Sequence, residues 1–281
     1  MHPAIIKGGV AVVTGAAVGI GFAIAQRVAR EGMAVVMFDR DEQALEQAGA
    51  GISRALPGAL VKTVVGDVTS PEALDRLKNV AAALGPITFL VNNAAVISKA
   101  GPWERTEVWK QVMDINFWAV LSLQNLFVPI MLAQSSPAAI VNLGSKEGIT
   151  TPPGNAAYNV SKAALRVLTE QMAHELRERT PLISAHLLIP GYTFTPMNFP
   201  GMTATTAKPD APWTADQVAE RLMLGLSQDE FYIFCQDNEV TREMDQRRMQ
   251  WSADDLILNR PALSRWHPNY RKAFAEYLER P

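Results

Sequence analysis

The chain has 281 residues, 26 of them basic and 28 acidic, and a formal net charge of −2; that balance gives no electrostatic reason to expect nucleic acid or an anionic membrane as partner. Cys235 is the single cysteine, so no intrachain disulfide forms, and residues 1–7 lack the charged-then-apolar order of a secretory signal; a cytoplasmic protein is expected. No uninterrupted apolar run approaches the roughly 18 residues that span a bilayer, so no membrane is expected as partner.

In chain order, strands are predicted at 9–13, 34–39, 60–65, 89–92, 139–143 and 183–189. Helical patterns lie between them at 21–31, 41–56, 71–84, 106–132 and 158–179. Runs such as Val10-Ala11-Val12-Val13 and Phe89-Leu90-Val91 are continuously apolar rather than alternating, as strands covered by helices on both faces require. The repeated strand–helix unit implies an α/β fold with a doubly wound parallel sheet. After Pro190-Gly191 the texture changes. Residues 192–213 combine prolines with Tyr192, Phe194, Met197, Phe199, Met202 and Trp213 and read as a long functional loop. Thr214 is a plausible N-cap for a helix at 214–226,, and 231–235 is a final strand. The charged stretch 238–281 carries Trp251 and Trp266 and is expected to be mostly helical. The organisation expected is one main domain over 1–237, loop 192–213 included, and a C-terminal extension over 238–281 that packs on the substrate side or on a neighbouring subunit.

The first strand runs into Thr14-Gly15-Ala16-Ala17-Val18-Gly19-Ile20-Gly21 and then a helix. Glycines permit a tight turn and a close approach of backbone to a pyrophosphate, and the helix N-terminus offers unpaired N–H groups to the anion. Asp39 ends the second strand, 18 residues beyond Gly21, where a carboxylate can bond adenosine ribose hydroxyls and repel a 2′-phosphate. Arg40 beside it could accept that phosphate. The balance favours NAD over NADP.

Tyr158 and Lys162 are four residues apart at the start of a helical pattern and so share a face. A cation beside a phenol lowers its pKa towards the range useful for proton transfer. Ser145 follows the strand 139–143, at the sheet edge where such folds bind ligands, and Asn116 sits within a long helical pattern, where a buried polar role would justify it.

Together these motifs resemble the short-chain dehydrogenase/reductase family over roughly residues 7–235. The resemblance implies a Rossmann-type, three-layer α/β/α single domain and an NAD(P)-dependent enzyme acting on CH–OH groups. It rests on the Gly-rich loop at 14–21, Asp39, Asp67-Val68, Asn92-Asn93-Ala94-Ala95, the set Asn116, Ser145, Tyr158 and Lys162, and Pro190-Gly191 with Thr193. Ala95 stands where the family usually has Gly, and Ala119 where a Gly often follows the Asn. The cofactor contacts it implies are Gly15, Val18, Gly19, Ile20, Gly21, Asp39, Arg40, Asp67, Val68, Asn93, Ala94, Ala95, Tyr158, Lys162, Pro190, Gly191 and Thr193. It further implies Tyr158 as acid/base, Ser145 orienting the substrate oxygen, Lys162 lowering the Tyr158 pKa and holding the nicotinamide ribose, and Asn116 anchoring a relay water. A homodimer or homotetramer through the helices at 106–132 and 158–179 is implied as well.

Substrate contacts are expected from Ser145, Lys146, Glu147, Tyr158, Tyr192, Phe194 and Met197, although Lys146 and Glu147 also read as a solvated loop pair. The Met-, Phe- and Trp-rich loop suits a bulky hydrophobic or aromatic secondary alcohol or ketone. Two other readings stay open: an NADPH-dependent 3-oxoacyl thioester reductase, and a non-catalytic protein that senses cofactor ratio. His174, His186 and His267 show no metal-like spacing, and no metal is expected,.

Overall fold

A computed structural model describes residues 1–203 and 205–279. Seven strands form one parallel sheet: β1 (Val10–Thr14), β2 (Ala34–Asp39), β3 (Val61–Val65), β4 (Ile87–Asn92), β5 (Ala138–Leu143), β6 (Ile183–Ile189) and β9 (Tyr232–Phe234), in the spatial order β3-β2-β1-β4-β5-β6-β9. The remaining strands, β7 (Thr193–Phe194) and β8 (Trp213–Thr214), are two-residue pieces that pair with each other and close the loop predicted at 192–213. The strand order reverses between β1 and β4, and a crevice opens beyond the carboxyl ends of the strands at such a reversal.

Helices α1 (Gly19–Arg30), α2 (Glu42–Ala55) and α8 (Ala215–Ser227) cover one face; α3 (Pro71–Leu84), α5 (Ala119–Gln134) and α7 (Ala156–Arg179) cover the other. Each face has its own apolar layer. Ile24, Val28 and Leu222 pack with Val13, Met37 and Val91 on the first, and Leu77, Leu123 and Phe127 pack with Val12, Val36, Leu90 and Ile140 on the second. Successive strand residues serve opposite layers, which is why the strand sequences are apolar throughout. Local chemistry sets the helix starts. Asp41 accepts from the Ala44 N–H at 3.0 Å, Ser70 caps α3 ahead of Pro71, and Thr214 and Gln217 exchange both bonds of a capping box,.

The segment predicted as one helix at 106–132 is α4 (Thr106–Met113), a π-helical turn at Asp114–Trp118, and α5. No uninterrupted apolar run within it approaches roughly 18 residues, but the helical segment as a whole is long. Thr106–Gln134 is helical over 29 residues, with a mean hydropathy of 1.6 in its most apolar window, enough by length and composition to cross a bilayer. Its inner face, with Ile115, Ala119, Leu123, Phe127 and Met131, instead fills the second apolar layer.

The C-terminal stretch forms α9 (Arg242–Ile257), a 3₁₀ turn at Ser264–Trp266, and α10 (Arg271–Glu279). Trp251 is its local core: the ring packs against Phe274 and Tyr277, Nε1 donates to Ser264 Oγ at 2.8 Å, and the Arg260 guanidinium lies 4.1 Å above the ring. The stretch meets the rest of the chain at α6 (Glu147–Thr150), the short helix that follows Ser145.

A chain of buried polar side chains ties the centre together. Asn92 Nδ2 donates to Asn142 Oδ1 at 2.8 Å, Asn142 Nδ2 to Thr169 Oγ1 at 2.9 Å, and Thr169 Oγ1 to the Leu165 carbonyl at 2.7 Å. Asn142 and Thr169 are wholly buried. Asn142→Ala strands a donor on Asn92 and removes the donor to Thr169. The expected cost is about 2–4 kcal/mol, measured by urea unfolding; a loss below about 0.5 kcal/mol would show that the chain of bonds contributes little.

Candidate active site

The Gly-rich loop is held by side chains from beyond β4. Asn93 Nδ2 donates to the Thr14 and Gly15 carbonyls, both at 2.9 Å. Thr14 Oγ1 accepts from the Asn93 and Ala94 N–H groups at 3.1 and 3.2 Å. Gly15 and Gly19 have φ of +63° and +60°, a region that side chains disfavour. A Cβ on Gly21 would collide with the Gly15 carbonyl and with Asn93 Nδ2, so this glycine serves the packing of α1 on the loop. Val18 stands at the N-cap of α1 and supplies no side-chain acceptor. The first-turn N–H groups are therefore left for an anion.

A cavity of about 740 Å³ runs from Asp39, Arg40, Asp67 and Val68, along this loop, to Ser145, Tyr158 and Lys162, and on to residues 190–193 and 195–198. Of the cofactor contacts expected from sequence, all but Gly21 line it. Asp39 is fixed at the far end, with Oδ2 accepting from Ala17 N–H at 3.0 Å and Oδ1 from Asp41 N–H at 3.1 Å. The donor-rich turn, the glycines at its tightest points and the carboxylate beyond it fit a dinucleotide.

At the other end, α7 presents Tyr158 and Lys162 one turn apart, 6% and 3% exposed. Lys162 Nζ donates to the Leu143 carbonyl at 2.7 Å and lies 5.7 Å from the centre of the Tyr158 ring. Ser145 Oγ accepts from the Glu147 N–H at 3.1 Å. Asn116 sits in the π-helical turn, fully buried. Its side chain bonds both main-chain groups of Val96, at 2.8 and 3.0 Å, and donates to Ser161 Oγ at 3.1 Å.

A sequence model of the family described as short chain dehydrogenase matches residues 9–204. The chain belongs to the short-chain dehydrogenase family. It is 36% identical over 261 residues to a 1-deoxy-11-beta-hydroxypentalenate dehydrogenase of Streptomyces exfoliatus, covering 91% of this chain and 93% of that one. Among solved structures, a short-chain dehydrogenase/reductase from Burkholderia phymatum in complex with NAD superposes with a TM-score of 0.81 at 29% identity, covering 91% of this chain and 96% of that one. A metagenomic short-chain oxidoreductase in complex with NADP gives 0.66 at 29% identity, with 83% and 97% covered. The enzyme is an NAD(P)-dependent oxidoreductase acting on CH–OH groups.

On the substrate side of this dehydrogenase, Ser145, Lys146, Glu147, Tyr192 and Met197 line the cavity, but Phe194 does not. In the short strand β7 the side chains alternate: Thr193 lines the cavity, and the Phe194 ring packs edge-on against Phe199. Lys146 is no solvated loop residue; its Nζ is 2.6 Å from Asp245 Oδ2 and 3.7 Å from Asp237 Oδ2. Trp251 and Trp266 do not line the cavity. Val96, Ile97, Ser98, Gln111, Ile115, Thr195 and Asn198 do, and sequence reasoning missed them. Several lie in the segment after Ala95, which carries no periodicity to mark it.

Burial, rather than Lys162, sets the direction of the Tyr158 pKa. Burial pushes the phenol up to about 12; the Ser145 hydroxyl pulls it down and the Glu147 carboxylate adds to the rise. Burial also brings the Lys162 ammonium down to about 8, and this nitrogen is spent on a carbonyl. Cys235 is fully buried, its thiol pushed up to about 12 by burial, which makes it inert rather than nucleophilic. Far from the cavity, His186 does come together with His2 and Asp229, ligand atoms within 4.8 Å of one another, a grouping that spacing could not reveal. Both nitrogens of His186 already have partners, the Glu230 carbonyl and Ser184 Oγ, at 2.8 Å each.

Lys162 makes a pH prediction. The folded protein holds this proton less tightly than the unfolded chain, whose value is 10.5, so Lys162 costs folding stability below pH 8, and the cost fades as pH rises to 10.5. Lys162→Met removes the penalty. Thermal melts of the cofactor-free protein should show the variant gaining on the parent at pH 7, and the gap closing by about 3 kcal/mol near pH 10.5. A gap independent of pH would mean that the ammonium is not penalised by burial.

Proposed function

We propose that the enzyme uses NAD(H) to interconvert a bulky hydrophobic or aromatic secondary alcohol and its ketone. The observation that supports this most is the single cavity joining the Gly-rich loop and Asp39 to the cluster Ser145, Tyr158 and Lys162. In this reading Gly15, Val18, Gly19 and Ile20 bind the pyrophosphate. Asp39, with Arg40 beside it, meets the adenosine ribose, and Asp67 and Val68 the adenine. Asn93, Ala94 and Ala95, with Pro190, Gly191 and Thr193, run along the rest of the cofactor, and Gly21 acts by packing. Nicotinamide, when bound, accepts or returns the hydride.

Tyr158 acts as the phenolate during oxidation, its oxygen taking the alcohol proton, and during reduction the phenol gives that proton back. Ser145 holds the same substrate oxygen. Lys162 bonds the nicotinamide ribose, exchanging its tie to Leu143 for the ribose hydroxyls. Asn116 acts as a positioning residue: its side chain clamps Val96 to Ser161, so a relay water would have to be held by its main chain. The Asp39 carboxylate, fixed by two N–H groups, favours NAD because it repels a 2′-phosphate. Tyr192, Met197, Val96, Ile97 and Ile115 give the substrate end an apolar wall. The Streptomyces exfoliatus relative, named for a hydroxylated substrate, is consistent with an alcohol substrate. A homodimer or homotetramer through the helical segment 106–132 and α7 is supported by apolar side chains left outside: Trp118 is 53% exposed, and Val160 and Val167 are 46% exposed.

The test is reduced-nicotinamide absorbance with NAD or NADP and a panel of aryl, alicyclic and steroid alcohols. Tyr158→Phe should lower kcat by roughly 10²–10⁴-fold while NAD still binds. Turnover of small polyols with none of aromatic alcohols would reject the substrate class, and NAD binding without any turnover would favour a cofactor-sensing role. Asp39→Ser should raise the NADP/NAD ratio of kcat/KM by about tenfold or more; an unchanged ratio would remove the argument for NAD.

A further inference from the structure

Two opposite charges follow Ser145, and their situations differ. The Lys146 ammonium is consumed by Asp245 and Asp237, whose side chains are 6% and 7% exposed. It is thereby committed to α9 and to the segment after β9, and it has no charge to spare for a guest. Glu147 lines the same cavity. Its carboxylate has no ion pair and no hydrogen bond among the described residues, and burial alone holds its pKa above the ordinary value. The carboxylate is close enough to Tyr158 to raise that phenol's pKa.

The backbone that carries it is held firmly. The Glu147 N–H donates to Ser145 Oγ, so the carboxylate rides on the same turn as the hydroxyl that meets the substrate oxygen. That turn sits hard against α7: a Cβ on Gly148 would come 2.6 Å from the Lys162 carbonyl carbon. A guest that fills the cavity takes further water from Glu147. A hydrocarbon surface there leaves the carboxylate without a partner, which is costly. A carboxylate on the guest adds repulsion. A hydroxyl or ammonium gives it a charge-assisted hydrogen bond. The polar neighbours Ser98, Gln111 and Asn198 are neutral and do not discriminate by charge.

We propose that Glu147 is the specificity-determining residue of the substrate side, and that it selects alcohols carrying a second hydrogen-bond donor, a hydroxyl or an ammonium, beside the reacting carbinol. This rests on the reading of the cavity as a dehydrogenase site and narrows its substrate class to amphiphilic alcohols: an apolar body for the Tyr192 and Met197 wall, and a donor for Glu147.

The test uses four carbinols that differ in one substituent: 1-phenylethanol, 1-phenyl-1,2-ethanediol, 2-amino-1-phenylethanol and mandelate. Turnover with NAD is measured for the parent, Glu147→Gln and Glu147→Leu. Affinity for the enzyme–NADH complex is read separately from nicotinamide fluorescence. The parent should favour the diol and the amino alcohol over 1-phenylethanol by roughly tenfold, with mandelate last. Glu147→Gln should keep the diol, lose the preference for the amine and accept mandelate better. Glu147→Leu should place 1-phenylethanol first. The same affinity ranking in all three proteins, no ranking, or no binding overturns the proposal, even if the parent oxidises other alcohols. A ranking that inverts with Glu147 while no carbinol is turned over would uphold it, and the dehydrogenase reading would be what fails.

Discussion

The carboxyl ends of β1, β4 and β5 are held in one frame by buried side-chain hydrogen bonds, and every feature of the cavity depends on that frame. Strand ladders alone do not set where the loops go once the strands end. Thr14 and Asn93 join the Gly-rich turn to the segment after β4. Asn92, Asn142 and Thr169 join β4 and β5 to α7. Asn116 joins the segment after Ala95 to Ser161 on α7, and Lys162 reaches from α7 to the end of β5. Each of these buried groups would be costly if left unpaired, so the network closes in one arrangement. The phosphate cradle and the Ser145, Tyr158 and Lys162 cluster consequently belong to the same rigid body, which is what hydride and proton transfer between fixed partners requires.

Charge inside this frame is distributed unevenly. Burial penalises the charged forms of Tyr158, Lys162 and Glu147 alike. Lys146, one residue from Ser145, pairs with Asp245 of the C-terminal stretch. Asp237 also reaches the main chain of Tyr192, accepting from its N–H at 3.4 Å. Asp245 of the C-terminal stretch thus anchors the loop after β5, and Asp237, just ahead of that stretch, anchors the one after β6. The stretch's own core, around Trp251, is separate.

Much of this was legible in the order of residues, for identifiable reasons. A strand covered on both faces must be apolar at every position, so β1, β2 and β5 announce themselves. The glycines at 15, 19 and 21 and the four-residue step from Tyr158 to Lys162 are likewise local, and a turn or a helical face is enough to interpret them. Where physics is non-local the reading fell short. β4 begins at Ile87, two residues earlier than expected, because Ile87 pairs with Val10 of β1; the Gln134 side chain from the end of α5 bonds its N–H and carbonyl as well. The π-helical turn at Asn116 follows from the bonds of its amide to Val96 and Ser161. Hydropathy alone cannot tell a helix that packs on a sheet from one that crosses lipid, and Thr106–Gln134 has the composition of both.

By itself, then, the sequence determined the layered parallel architecture, the phosphate-binding turn and the identity of the groups able to move a proton, because each is written in spacings of one to eight residues. Only the tertiary structure decided which charges remain available. Lys146 and Glu147 are adjacent and equally polar on paper. Both line the cavity, but one is paired with Asp245 from a helix that begins at Arg242, and the other has no ion pair among the described residues. Electrostatic partners are set by distance in space, and chain order does not encode that distance.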